Sequence, residues 1–253
     1  NTIPNIHKHN NVLGPASVNT GVTTSSSINS TIMVFREEEW FKVFIHETMH
    51  SLGLDFSYLD DIHASVRELF PVNSEINLFE AYTETWARIV YCGFISFSTI
   101  NPYNENNISH RSRIPSHVPA LFISYMEYYL QITRLFSIFQ CVKILHFMGL
   151  TYDDLWKNNG SVNTVRLREM YRHNYRENTN VLAYYVLTTV FLQDYPIFIE
   201  WCRINNGSKQ IYNFKNNRYS LIDFVELLKN LYRSKQLLRA ISIFTSQVNT
   251  FVI

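Results

Sequence analysis

A chain of 253 residues with only 7 Gly and 7 Pro has few places to turn sharply. Average soluble chains carry roughly 12% of these two residues together, about twice the share found here. Many-stranded sandwiches and barrels need such residues at their corners, so the scarcity argues against a turn-dense all-β fold. It also leaves no G-x-G-x-x-G and no Walker-type loop, which argues against a glycine-cradled nucleotide site. The chain does hold material for a large core: 46% of its residues are apolar, with 18 Phe and 16 Tyr. At this length the expectation is one domain over residues 1–253, or two lobes (1–100 and 101–253) sharing a cleft. The loops near 101–117 and 205–219 are the candidate junctions.

Extended propensity is confined to the N-terminal region. Val18, Val22, Ile32, Val34 and Phe35 are strand formers and the serines at 25–27 read as a turn, so residues 16–36 predict a hairpin or two strands. Beyond Arg36 the pattern becomes helical. Glu37, Glu38 and Glu39 suit a helix start, apolar residues recur at 40, 41, 44, 45, 49 and 52, and Gly53 is a natural stop. Further helices are expected at about 58–69, at 75–97 with Ser74 as N-cap, and at 118–148, where the apolar stretch from Ala120 to Leu150 reads as a buried core helix. Shorter ones are expected at 152–158, 164–173, 179–192 and 195–204. Ser220 opens a last helical region over 221–245. The fold class that follows is mainly α (α+β), with a short N-terminal strand region or small sheet followed by a helical bundle.

Charge and cysteine usage set limits on partners. Lys plus Arg number 22 and Asp plus Glu 21, so no global basic field favours a nucleic acid. The short basic loop His110–Arg113 and the cations Lys209, Lys215 and Arg218 read as solvated. Residues 1–31 have no apolar stretch of the signal-peptide kind. The longest strongly apolar run, Val181 to Leu192, is shorter than the about 20 residues of a spanning helix, so no membrane span is expected. Cys92, Cys141 and Cys202 are odd in number and widely spaced, which suits a reducing, intracellular compartment better than a disulfide framework.

One segment carries chemistry. His46-Glu47-Thr48-Met49-His50 is an H-E-x-x-H inside the first predicted helix. Positions i and i+4 lie one turn apart on one face, so both imidazoles can reach a single metal ion. Zinc bound there would make water nucleophilic near neutral pH, and Glu47 could take its proton and hand it to a leaving amine. The competing reading is a helix with two half-buried His bonded to backbone or carboxylates. A catalytic zinc site needs a third protein ligand. Continuing the segment as H-E-x-x-H-x-x-G-x-x-H/D fits Gly53, but Phe56 occupies the ligand position and Asp55 lies one residue off.

A later stretch, Leu78-Phe79-Glu80-Ala81-Tyr82-Thr83-Glu84, offers two Glu at i and i+4. With it the chain resembles the gluzincin branch of the zinc metallopeptidases, whose members carry E-x-x-x-D on the helix after H-E-x-x-H. The resemblance covers residues 16 to about 90 and implies a zincin-like catalytic core with Zn2+ as cofactor. It makes Glu80 the third ligand and Glu84, where the family has Asp, the residue that orients His46. The reverse assignment, with Glu84 as ligand, stays open, as does a solvated acidic helix edge. In that family a strand before the motif helix pairs with the substrate backbone. Val18 to Thr23 or Ile32 to Phe35 could supply it.

The run Asn180 to Tyr185 is similar to the Tyr-rich helix of the thimet-oligopeptidase-like metallopeptidases. That similarity makes Tyr184 a donor to the tetrahedral intermediate. The family's upstream His position holds Tyr175, with His173 close by, and Arg172, His173, Tyr175 and Arg176 could bind a substrate carboxylate. A core Tyr pair and a solvated basic face are the alternatives. The segment F-R-E-E-E-W-F-K-V-F-I-H-E-x-x-H also looks like the predicted metallopeptidases of large double-stranded DNA viruses, implying work in an infected cytoplasm or a virion on viral or host polypeptides. The expectation is a zinc-dependent peptidase with a peptide or protein substrate. A viral structural or interaction protein with a zincin fold and no turnover is the alternative, and the sequence leaves the oligomeric state open.

Overall fold

Of the N-terminal strand formers, Val22, Ile32 and Val34 pair locally as expected, while Val18 ends a helical turn over Pro15–Val18 instead. In a computed structural model that describes residues 12–24, 29–59, 66, 69, 70, 72, 74–100, 118–155, 173–215 and 217–251, β1 (Gly21–Thr24) runs antiparallel to β2 (Thr31–Val34). Gly21 faces Val34 and Thr24 faces Thr31 in the register. The serine turn at 25–27, most of the 58–69 and 164–173 helices, the 101–117 loop, and Arg172 lie outside the described residues.

Burial alternates along both strands, and the inward side, Gly21, Thr23, Ile32 and Val34, meets the first helix. Gly21 permits that approach. A Cβ there would lie 2.5 Å from Val43 Cγ1 and 3.0 Å from Glu47 Oε1.

Helix α1 (Trp40–Ser51) follows a 3-10 turn over Glu37–Glu39, the acids that suit the positive end of a helix. Its buried face is Val43, His46, Glu47 and Met49. Gly53, at φ +62°, ends it. The Gly53 N–H bonds the His50 carbonyl and the Leu54 N–H bonds the Met49 carbonyl, both at 3.0 Å. This pair of bonds is a Schellman motif, which folds the chain back on the helix end.

Helix α2 (Leu78–Ile100) packs on α1 and on α3 (Val118–Phe147). It starts three residues later than Ser74 suggests, because the Ser74 hydroxyl donates to Glu177 instead of capping. The inner face of α3 is buried through Leu130, Ile138, Cys141 and Leu145. Its outer face is not: Tyr128, Ile132, Leu135 and Phe136 are exposed, so the expected fully buried helix is half-buried.

The remaining elements close the bundle. A π-helical turn over Leu182–Leu187 leads into α4 (Thr188–Gln193), followed by α5 (Tyr195–Asn206), α6 (Arg218–Tyr232) and α7 (Lys235–Phe251). The expected single region 221–245 is thus two helices. They part at Ser234, whose hydroxyl accepts the Leu237 N–H and caps α7. One hydrophobic cluster joins residues from Val18 to Ile241. The stretch 205–219, a candidate junction between lobes, sends Phe214 into it against Phe56, Tyr82 and Phe224. No single helix among the described residues is long and apolar enough to cross a membrane.

Two glycines test this packing in opposite directions. Gly21→Ala forces a methyl into Val43 and should destabilise by about 1–3 kcal/mol. Gly93→Ala, inside α2, meets nothing closer than Met126 Sδ at 3.9 Å and should stabilise by roughly 0.4–1 kcal/mol. Thermal unfolding of the two variants reads both signs.

Candidate metal centre

Helices α1 and α2 cross where each turns a polar stripe inward. α1 contributes His46 and His50, one turn apart, and α2 contributes Glu80 and Glu84, also one turn apart. His46 Nε2 lies 3.0 Å from His50 Nε2 and 3.2 Å from Glu80 Oε2, and His50 Nε2 lies 3.3 Å from the same oxygen. These three groups could hold a metal ion. His46 is buried, and the His50 and Glu80 side chains are 16% and 13% exposed, so little water competes for the space between them.

The other nitrogen of each imidazole is committed to a carboxylate. His46 Nδ1 is 3.0 Å from Glu84 Oε2, and His50 Nδ1 bonds Asp55 Oδ2. An ionised carboxylate only accepts, so each Nδ1 carries a proton, and each Nε2, once it gives up its own proton, turns a lone pair toward the other and toward Glu80. Glu80 is itself held at both oxygens. Asn180 Nδ2 donates to Oε1 at 3.1 Å and the Tyr184 hydroxyl donates to Oε2 at 3.0 Å. Glu84 Oε1 takes Lys42 Nζ at 3.0 Å and Arg88 Nε at 2.8 Å.

The electrostatics show a site that calls for positive charge. Burial opposes a charged imidazole at His46, but hydrogen bonds to Glu80 and Glu84 outweigh it and raise its pKa. At His50 burial acts the same way, and Asp55 and Glu80 override it to push the pKa up to about 10. Burial alone would raise Glu80 and Glu84. The two imidazoles hold Glu80 far below the usual carboxylate range, and Lys42, Arg88 and His46 do the same for Glu84. Protons or a metal ion can supply the charge, and the two compete.

A cleft of about 330 Å³ borders the centre at His46, and His50 and Glu80 do not line it. His46, Glu47, Glu84 and Tyr184 line it, together with Gly21, Val43, Tyr91, Ile132 and Phe136. Glu47 is buried, and its Oε2 accepts the Thr23 hydroxyl at 2.6 Å. Tyr184 sits in the π-helical turn, and burial together with the Glu80 carboxylate raises its phenol pKa, so it remains a donor.

The two residues expected to bind substrate, His173 and Tyr175, are not brought to this cleft. Tyr175 is only 2% exposed and donates to Glu177 Oε1 at 2.8 Å. Glu177 also accepts the Val181 and Leu182 N–H groups and the Ser74 hydroxyl, so Tyr175 belongs to a buried cap at the start of the π-helical turn. His173 is exposed, and its carbonyl accepts Arg176 Nε.

The structure adds residues that the spacing did not single out: Asp55 on His50, Asn180 on Glu80, Thr23 on Glu47, and the pair Lys42 and Arg88 on Glu84. Two had a readable signal. Asp55 follows a glycine that reverses the chain, and Arg88 stands at i+4 from Glu84. No family model, curated protein or solved structure matches the chain.

The linkage of these groups to folding has a definite sign in metal-free protein. The raised pKa of His50 contributes stability that is full below 6.5 and lost as pH rises through about 10. The lowered pKa values of Glu80 and Glu84 contribute stability that is present above 4.5 and lost as pH falls through their depressed values. With a chelator present, Tm should fall between pH 6.5 and 10, and His50→Gln should flatten that fall. An unchanged alkaline decline in the variant would contradict the assignment.

Proposed function

We propose that the chain is a zinc-dependent metallopeptidase with a zincin-like core, in which His46, His50 and Glu80 hold the metal and Glu47 is the general base. The observation that carries this reading is the inward convergence of His46 Nε2, His50 Nε2 and Glu80 Oε2 while both Nδ1 atoms are held by carboxylates. Donors bonded to zinc at 2.0–2.1 Å with tetrahedral angles lie about 3.3 Å apart. The three separations here are 3.0, 3.2 and 3.3 Å. Two imidazoles and a carboxylate with a position left open are a catalytic zinc set.

Zinc held this way supplies a nucleophilic water at neutral pH and a Lewis acid for a peptide carbonyl. The chain's own groups do the rest. Glu47 accepts the proton of the attacking water and delivers it to the leaving amine. The Thr23 hydroxyl fixes one oxygen of its carboxylate, and the absent side chain of Gly21 leaves room beside the other. Tyr184, kept protonated by its surroundings, turns its one proton from Glu80 Oε2 to the oxygen that gains charge in the transition state. Glu84 and Asp55 keep the imidazoles turned so that Nε2 faces inward.

The alternative reading, a protein that binds zinc for stability without turnover, calls for a fourth protein ligand or a closed cleft. Among the described residues three groups converge, and the cleft reaches His46, which favours the enzyme. The substrate is a peptide or protein. The resemblance to viral metallopeptidases extends the proposal to an infected cytoplasm or a virion.

Metal analysis and hydrolysis of an unfolded protein substrate test the reading together. Wild-type protein should carry one zinc, His46→Ala none, and affinity should fall with acid as protons compete. Glu47→Gln should keep the zinc and lose about 10²–10⁴-fold in rate. A wild type without zinc would refute the metal assignment, and undiminished hydrolysis by Glu47→Gln would refute the base.

A further inference from the structure

We infer that Asp55 is a positioning residue for the metal centre, and that it is the outer carboxylate with the greater influence on metal affinity. The inference rests on the reading of His46, His50 and Glu80 as metal ligands. It starts from how Asp55 reaches its place. The Schellman bonds from Gly53 and Leu54 reverse the chain at the end of α1, so a residue beyond the helix returns to the helix face. Asp55 is 1% exposed there, and its Oδ2 accepts a hydrogen bond from His50 Nδ1.

Asp55 cannot rotate away easily. Its Oδ1 accepts the Ser57 N–H at 2.9 Å. The residue on its N-terminal side, Leu54, gives its carbonyl to the Phe214 N–H at 2.8 Å. The residue on its other side, Phe56, is buried against Phe79, Tyr82, Phe214 and Phe224. The loop is thus anchored in the core on both flanks of the carboxylate.

The two outer carboxylates differ in how their charge is used. Glu84 shares its carboxylate among His46, Lys42 and Arg88, so two permanent cations already offset it. Among the described residues the one ion-pair partner of Asp55 is His50. A buried carboxylate needs a compensating positive charge. For Asp55 that charge comes through the imidazole, from whatever His50 Nε2 binds. Removing the charge at position 55 therefore acts on the metal, whereas removing it at position 84 acts mainly on Lys42 and Arg88.

The test measures zinc affinity by competition with a chromophoric chelator, alongside the visible spectrum of the Co2+ form and the Tm of chelated protein. Wild type, D55N, D55A and E84Q are compared. D55N keeps the volume of Asp55 and should lose about 10–100-fold in zinc affinity with an altered Co2+ spectrum. D55A should lose at least as much, and E84Q less. Wild-type affinity in D55N, or a larger loss in E84Q than in D55N, overturns the inference. So does a lowered Tm in D55N with unchanged affinity and spectrum, since that is the signature of a purely structural role. A wild type that binds neither Zn2+ nor Co2+ removes the underlying metal reading and this inference with it.

Discussion

Three lone pairs aimed at one another inside a protein repel unless protons or a metal cation stand between them. His46 Nε2, His50 Nε2 and Glu80 Oε2 are in that situation, each within 3.3 Å of the other two. A great deal of the surrounding structure holds them there. Helices α1 and α2 bring the side chains together by one-turn spacing on each helix. The Schellman turn at Gly53 and the segment around Asn180 and Tyr184 then fix them from outside. The raised pKa values of the two imidazoles and the lowered values of the two glutamates express the same demand for positive charge.

Charge falls off in layers around this point. The innermost groups are two imidazoles and one carboxylate. Outside them lie Asp55 and Glu84, and outside Glu84 lie Lys42 and Arg88. Buried ions are tolerated when each has a partner, and among the described residues Glu84 has three and Asp55 one. The hairpin guards the cleft side. Thr23 bonds Glu47, and Gly21 lets the strand lie against α1 without displacing that carboxylate.

Local spacing made α1 legible, because its apolar period runs from Trp40 and a glycine ends it. The grouping of Glu80 with the two His was legible only through resemblance, since no local rule says that a helix some thirty residues later crosses at that point. Other features depend on contacts distant in sequence. Ser74 has the chemistry of a cap, but Glu177 claims its hydroxyl. Tyr175 stands where the family has His, but it is buried on the same Glu177. The break at Ser234 lies in a polar run, Arg233–Gln236, that holds no Gly or Pro to mark it. Helix α3 is apolar on every side, which reads as full burial, yet its outer face is exposed.

The central claim is that the two imidazoles and Glu80 share one metal ion. X-ray absorption at the zinc edge of protein loaded with one equivalent measures this directly. The account predicts two imidazole nitrogens at about 2.0–2.1 Å, with the remaining first-shell scattering from oxygen. Loss of one imidazole from the shell in His50→Gln would agree with it. A shell without imidazole, or one unchanged when His50 is removed, would contradict it.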